Sequence, residues 1–214
     1  MQPPEPFSND LIDGFLHVPE AVGDRGIALT HGAGGNCQTR LLTALAEAFA
    51  LQGFHVLRFN LPFRTSRRSG PPFPAQSAKD RLGIASAVSQ LRSIVSGPIV
   101  LGGHSYGGRQ ASILASESNV DSAALLLLSY PLHPPKKPAE LRTSHFPELR
   151  TPSLFVQGTA DPFGTVEELR SAIASIPAPT VLSVVEKAAH DLKDGRFDVR
   201  PAILEPLEKL LLAR

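Results

Sequence analysis

Short apolar runs recur along the chain at residues 27–30, 56–59, 99–101, 123–128, 154–156 and 181–185. Each has the length of a buried strand and is too short for a buried helix. Between several of them the apolar spacing becomes helical: Leu41, Leu45 and Phe49; Ile84, Val88, Leu91 and Val95; Val166, Leu169, Ile173 and Ile176. Strands that alternate with one-faced helices need crossover connections, which make neighbouring strands parallel and lay helices on both faces of the sheet. The pattern therefore predicts a three-layer α/β architecture with a mainly parallel sheet of about six to seven strands. A final stripe, Ile203, Leu204, Leu207, Leu210 and Leu211, predicts a closing helix that Pro201 starts and Pro206 kinks. Residues 11–19 are expected to add an edge strand. Residues 61–77 and 131–152, both rich in proline, read as irregular loops after strands, where they would border a ligand crevice.

With 214 residues the chain fits one domain, residues 1–214, around a continuous core. Its 21 basic and 20 acidic side chains leave a net charge of +1, which gives no general field for nucleic acid or an anionic membrane. No stretch approaches the roughly 18–20 apolar residues needed to span a bilayer. The polar first ten residues lack the basic patch and apolar run of a secretory signal. The single cysteine, Cys37, excludes an internal disulfide and a four-cysteine metal site. The expectation is a cytoplasmic protein acting on a small molecule, with no cofactor, no metal, no nucleic-acid partner and no membrane partner.

Local chemistry centres on Gly103-His104-Ser105-Tyr106-Gly107, a G-x-S-x-G pattern between an apolar strand and a helix-compatible stretch. The pattern alone is weak, because glycine-rich turns are common. Its placement gives it force: a sharp strand-to-helix turn needs glycines two residues before and after a strained serine, whose hydroxyl is then held up at the sheet edge. A serine hydroxyl is a weak nucleophile and needs a base. Among the histidines, His190 follows the last predicted strand and precedes the terminal helix. A carboxylate after another strand would hold the imidazole in the required tautomer. Asp161, in Gly158-Thr159-Ala160-Asp161-Pro162, has that position, with capping of the following helix as its alternative role. Oxyanion donors would be the amides of Tyr106 and Ala33, with Gly34 as second choice for the latter, from the Thr30-His31-Gly32-Ala33-Gly34-Gly35 loop. His31, His104, Arg64 and His133 are candidate substrate contacts. The loop cations Arg64, Arg67, Arg68, Lys136 and Lys137 would favour an anionic substrate if they face the crevice, and are otherwise solvated loop charges.

With these residues in place, the chain resembles the α/β-hydrolase superfamily over nearly its whole length. The stretches Leu29-Thr30-His31-Gly32-Ala33-Gly34-Gly35, Leu57-Arg58-Phe59 and residues 125–136 resemble a compact, dienelactone-hydrolase-like branch that includes a testis-expressed protein and a chromatin-complex (NSL) subunit. The resemblance implies a reduced sheet without a separate cap domain, and a serine carboxylesterase-like activity on a small acyl ester, thioester or lactone. Ser105, Asp161 and His190 match the catalytic positions. Dienelactone hydrolases proper carry cysteine where this chain has Ser105. Two other readings of the same scaffold stay open: a non-catalytic interaction module, and an acyltransferase.

Overall fold

The computed structural model describes residues 2–21, 23–118, 120–192 and 198–213. Its strands are β1 (Glu5–Ser8), β2 (Asp13–His17), β3 (Arg25–Thr30), β4 (Phe54–Asn60), β5 (Ile99–His104), β6 (Ala124–Leu128), β7 (Ser153–Gly158) and β8 (Thr180–Val185). They form one sheet in the order β1-β2-β4-β3-β5-β6-β7-β8, antiparallel at β1 and β2 and parallel from β4 through β8. The helices are α1 (Arg40–Leu51), α2 (Pro62–Ser66), α3 (Ser77–Arg92), α4 (Tyr106–Glu117), α5 (Val166–Ile173) and α6 (Leu204–Leu212).

Alternation along the central strands divides the core in two. Ala28, Leu57, Phe59, Leu101, Leu125, Leu127 and Phe155 face α3, α4 and α5. Ile27, Leu29, Val56, Val100, Leu126, Leu128, Leu154 and Val156 face α1 and α6. Every residue of β6 is buried, as a strand covered on both faces requires. Each of its four leucines contributes about 1.5–3 kcal/mol relative to exposure.

The sheet has eight strands among the described residues, more than the six to seven expected. The addition is β1, Glu-Pro-Phe-Ser, in which only Phe7 packs against the core and a single apolar side chain makes no pattern. Residues 11–19 do contain a strand, but β1 covers β2, so β2 is not the edge. Pro206 does not kink the last helix: it is the third residue of α6, where its missing N–H would have had no helical acceptor. The 61–77 stretch contains α2 and a 3₁₀ turn at Pro74–Gln76. The 131–152 stretch is irregular apart from a 3₁₀ turn at Phe146–Glu148, but its Leu132, Phe146 and Leu149 are buried and part of the core. No helix among the described residues is long and apolar enough to cross a membrane.

Three histidines, the buried His17 and His31 and the half-buried His145, tie these segments together. Arg58 in β4 donates from Nε to Nε2 of His17 in β2, at 2.8 Å. The Leu61 N–H donates to Nε2 of His31, at 3.1 Å. His145 meets the Ser112 hydroxyl of α4 at 2.8 Å. Burial, with a nearby arginine as a further cause, lowers each imidazole from 6.5 to about 4. Between those two pH values the unfolded chain binds protons that the native state refuses, so native stability falls as pH drops from 6.5 toward 4. The urea midpoint should be flat above neutrality and decline steadily across that window. A midpoint that stays constant there would contradict neutral, buried imidazoles.

Candidate active site

The turn from β5 into α4 places Ser105 at φ 50° and ψ −115°, backbone that a non-glycine residue adopts at a cost of about 1–3 kcal/mol. Close approach of strand and helix holds it there. A Cβ on Gly103 would lie 2.5 Å from Gly108 N, and one on Gly107 would lie 2.6 Å from the His31 carbonyl oxygen. The Ser105 N–H donates to Leu128 O at 2.8 Å, and its carbonyl accepts from Arg109 N at 2.9 Å. The turn is therefore anchored to β6 and continued by the helix.

Two other loops meet it. The end of β7 and the segment after β8 are joined by Thr159 N to Val185 O, Ala160 N to Ala188 O and Lys187 N to Thr159 Oγ1. Gly158 permits this, because any Cβ there would collide with Ala188 O. This pairing sets Asp161 beside His190. His190 Nδ1 lies 3.0 Å and 2.9 Å from the two carboxylate oxygens of Asp161, and its Nε2 lies 2.7 Å from Ser105 Oγ. An ionised carboxylate only accepts, so Nδ1 carries the proton and Nε2 is free to accept from the serine hydroxyl. Asp161 Oδ1 also accepts from Phe163 N at 2.9 Å, and its side chain is fully buried. Capping of α5 falls instead to Thr165, which exchanges hydrogen bonds with Glu168.

Opposite the serine lies the Gly32–Gly35 turn, closed by Gly35 N to Gly32 O at 3.1 Å. Ala33, Gly34 and Tyr106 line the same cleft as Ser105 and His190, with a volume of about 790 Å³. Tyr106 is the first residue of α4, so its N–H has no acceptor within the helix.

The other candidate contacts are engaged elsewhere. Arg64 donates to the carbonyls of Gly35, Arg67, Ala33 and Gly70, at 2.8–3.2 Å, and so clamps the Gly32–Gly35 turn from behind. His31 is fully buried between Gly32 and Leu61. His133 meets Pro134 O and, at 3.4 Å, Glu168 Oε2 near the start of α5. None of these three lines the cleft, so their assignment as substrate contacts is corrected to structural ties. His104 does line it, but its Nε2 meets the His190 carbonyl at 2.7 Å, and burial lowers it to about 4. As a neutral donor it pins the backbone that carries His190. Arg67 stacks on Phe73, Lys137 pairs with Glu140, and Arg68 and Lys136 are exposed, so none of these loop cations faces the cleft.

Sequence reasoning missed Phe163, whose ring lies 4.1 Å from that of His190 at 30° between planes. It also missed Arg109 and Arg142, which line the cleft. Arg109 was findable, because it follows Ser105 by four residues on the helix that the serine opens.

Residues 23–199 match the family model described as an alpha/beta hydrolase domain. Similar solved structures include Est1E from Butyrivibrio proteoclasticus with ferulic acid bound, at TM-score 0.77 and 17% identity over 98% of this chain and 100% of that one. A dienelactone hydrolase from Anabaena variabilis matches at TM-score 0.71 and 16% identity over 98% of each chain. An alpha/beta serine hydrolase without lid from Xanthomonas campestris matches at TM-score 0.69 and 18% identity, covering 94% of this chain and 93% of that one. At these identities the likeness is one of fold.

The packing around the turn makes a specific demand on two glycines. Gly107→Ala drives a Cβ into the His31 carbonyl and the Thr30 side chain, whereas a Cβ on Gly34 meets nothing within 4 Å. Thermal unfolding should show Gly107→Ala destabilised by about 1–3 kcal/mol and Gly34→Ala within about 0.5 kcal/mol of the native chain. Equal stability of the two variants would show that the strand and helix are not locked together at the turn.

Proposed function

Because the chain belongs to the alpha/beta hydrolase family, we propose that it is a serine hydrolase acting on ester-type bonds, with Ser105 as nucleophile, His190 as general base and Asp161 as the carboxylate that orients it. The observation that carries this reading is the unbroken hydrogen-bond chain from Ser105 Oγ through His190 to Asp161, with no link longer than 3.0 Å. Its components fall in the chain order serine, aspartate, histidine. Within the family we place the chain in the compact dienelactone-hydrolase-like branch with the testis-expressed and chromatin-complex proteins. Serine rather than cysteine at the nucleophile position favours simple esters, thioesters or lactones.

In the mechanism, Ser105 Oγ attacks the substrate carbonyl as its proton passes to His190 Nε2. Asp161 stabilises the resulting imidazolium and keeps its ring aligned. Negative charge on the carbonyl oxygen is taken by the amides of Tyr106 and Ala33, with Gly34 as alternative to the latter. Arg64 keeps the turn that carries Ala33 rigid by holding its carbonyls from behind. Collapse expels the alcohol, which His190 protonates, and leaves an acyl group on Ser105. Water, deprotonated by the same imidazole, then releases the acid. The cleft is bordered by Pro71, Pro72 and Phe73 on one side and Pro131 on another, which suits short acyl groups. The cellular setting we propose is cytoplasmic, where the lone thiol of Cys37, buried and pushed up to about 11, stays reduced and inert.

Ser105→Ala should reduce turnover of short acyl esters by roughly 10³- to 10⁶-fold while thermal unfolding stays near that of the native chain. A fluorophosphonate probe should add one covalent label to the native chain and none to Ser105→Ala. An unlabelled native chain, or undiminished turnover in the variant, would remove Ser105 from the mechanism. Product analysis with added alcohol or thiol should show hydrolysis exceeding transfer, and the reverse would favour the acyltransferase reading.

A further inference from the structure

One wall of the cleft is cationic. Arg81, Arg109 and Arg142 line it, and no aspartate or glutamate does among the described residues. Arg81 is already answered in part, by Glu117 at 3.3 Å and by Gln110 Oε1 at 3.1 Å. Arg109 is not. Its Nε is buried without a hydrogen-bond partner, and no ion pair reaches it among the described residues. Its charge acts on Tyr106, Tyr130, Arg142 and His145, none of them an anion, and Glu140, the carboxylate whose charge acts on Arg142, is paired with Lys137 at 2.8 Å. Burial first, and Arg109 second, hold the Arg142 guanidinium below its usual range and the His145 imidazole at about 4. The carboxylate that touches Tyr106, Asp80, is occupied by the Tyr106 hydroxyl at 2.7 Å and the Phe63 N–H at 3.0 Å. Arg142 makes one long contact, 3.4 Å to the Pro131 carbonyl.

Two guanidinium groups in one half-buried wall repel each other, and leaving a buried donor unpaired costs about 1–3 kcal/mol. A folded protein keeps such an arrangement when something else supplies the counter-charge, and a planar guanidinium fork matches a carboxylate best. Position narrows the ligand further. Arg109 lies one turn after Ser105, its N–H donates to the Ser105 carbonyl at 2.9 Å, and both side chains line the same cleft.

We propose that Arg109 and Arg142 form an anion subsite next to Ser105, and that the substrate is a short ester carrying a free carboxylate a few bonds from the scissile carbonyl. This rests on the serine hydrolase reading and names its substrate class. The carboxylate belongs either to the acyl half or to the alcohol half of the ester, and matched substrates distinguish the two.

The test compares kcat/KM for monoethyl succinate against ethyl pentanoate, and for beta-acetoxypropanoate against butyl acetate, each pair alike in chain length. One anionic ester should exceed its neutral partner by about ten- to a hundredfold, as one or two charge-assisted hydrogen bonds provide. Arg109→Gln and Arg142→Gln should each collapse that ratio, while Arg150→Gln, at an exposed position, leaves it unchanged. Thermal unfolding of each variant, and agreement between the two cleft variants, guard against simple misfolding. Calorimetric titration of succinate into Ser105→Ala supplies a readout independent of turnover: binding should be measurable, and weakened about tenfold by adding Arg109→Gln. Equal rates for neutral and anionic esters, with succinate unbound, would overturn the subsite and leave the hydrolase reading intact. Arginine-dependent succinate binding without turnover of any ester would uphold the subsite and overturn the hydrolase reading. An anionic preference indifferent to both arginine changes would overturn this assignment of the subsite.

Discussion

Everything in the cleft depends on a backbone constraint: Ser105 sits at positive φ between a strand and a helix that pack too closely to admit side chains on Gly103 or Gly107. The strain is held by the sheet. β5 lies between β3 and β6, with both neighbours parallel and fully covered, so relaxing the turn would shift strands whose side chains fill both cores. The reward is positional. Ser105 and Tyr106 both line the cleft, and α4 carries Arg109 one turn away.

The second dependence is the pairing of the loops after β7 and β8. Asp161 and His190 are remote in sequence but are set side by side by three backbone-centred hydrogen bonds and a glycine that admits the crossing. Around this pair most polar side chains serve alignment. His104 holds the His190 carbonyl, Arg64 gathers carbonyls on both sides of the Gly32–Gly35 turn, and His31 ties that turn to Leu61. Arg64 does this at the expense of facing a ligand: a buried guanidinium satisfied by four carbonyls has no donor left to offer in quantity. The charge that does face the cleft comes from Arg81, Arg109 and Arg142, of which Arg109 has a buried Nε without a partner.

The parallel centre of the fold was legible in the sequence because those strands are buried on both faces and read as uninterrupted apolar runs. Ser105, Asp161 and His190 were findable as candidates for a related reason, since Ser105 follows β5 directly and the other two lie within a few residues of the ends of β7 and β8. β1 was not legible, because an edge strand of Glu-Pro-Phe-Ser turns a single apolar side chain, Phe7, to the core and is otherwise fixed by pairing with β2. Pro206 misled because the start of α6 could not be placed to within a turn, and a proline has opposite meanings in the first turn and in the middle. The loop residues were hardest. His31, Arg64 and His133 each lie within a few residues of the end of a parallel strand, but whether a polar side chain turns toward a cleft or toward backbone carbonyls is decided by packing. Phe163 against His190 and Arg142 against the cleft arise from the same long-range packing and leave no local pattern.

The central claim is that one alcohol oxygen, made nucleophilic by a neutral imidazole aligned by a buried carboxylate, carries the acyl group between substrate and water. Rapid acid quenching during turnover of an activated acetyl ester, followed by mass spectrometry of the peptides, tests this directly. A single acetyl group is expected on the peptide at Ser105, present in the steady state and lost when substrate is exhausted. An acetyl group on Cys37, Tyr106 or any other residue, or steady product release with no acylated peptide, would contradict it.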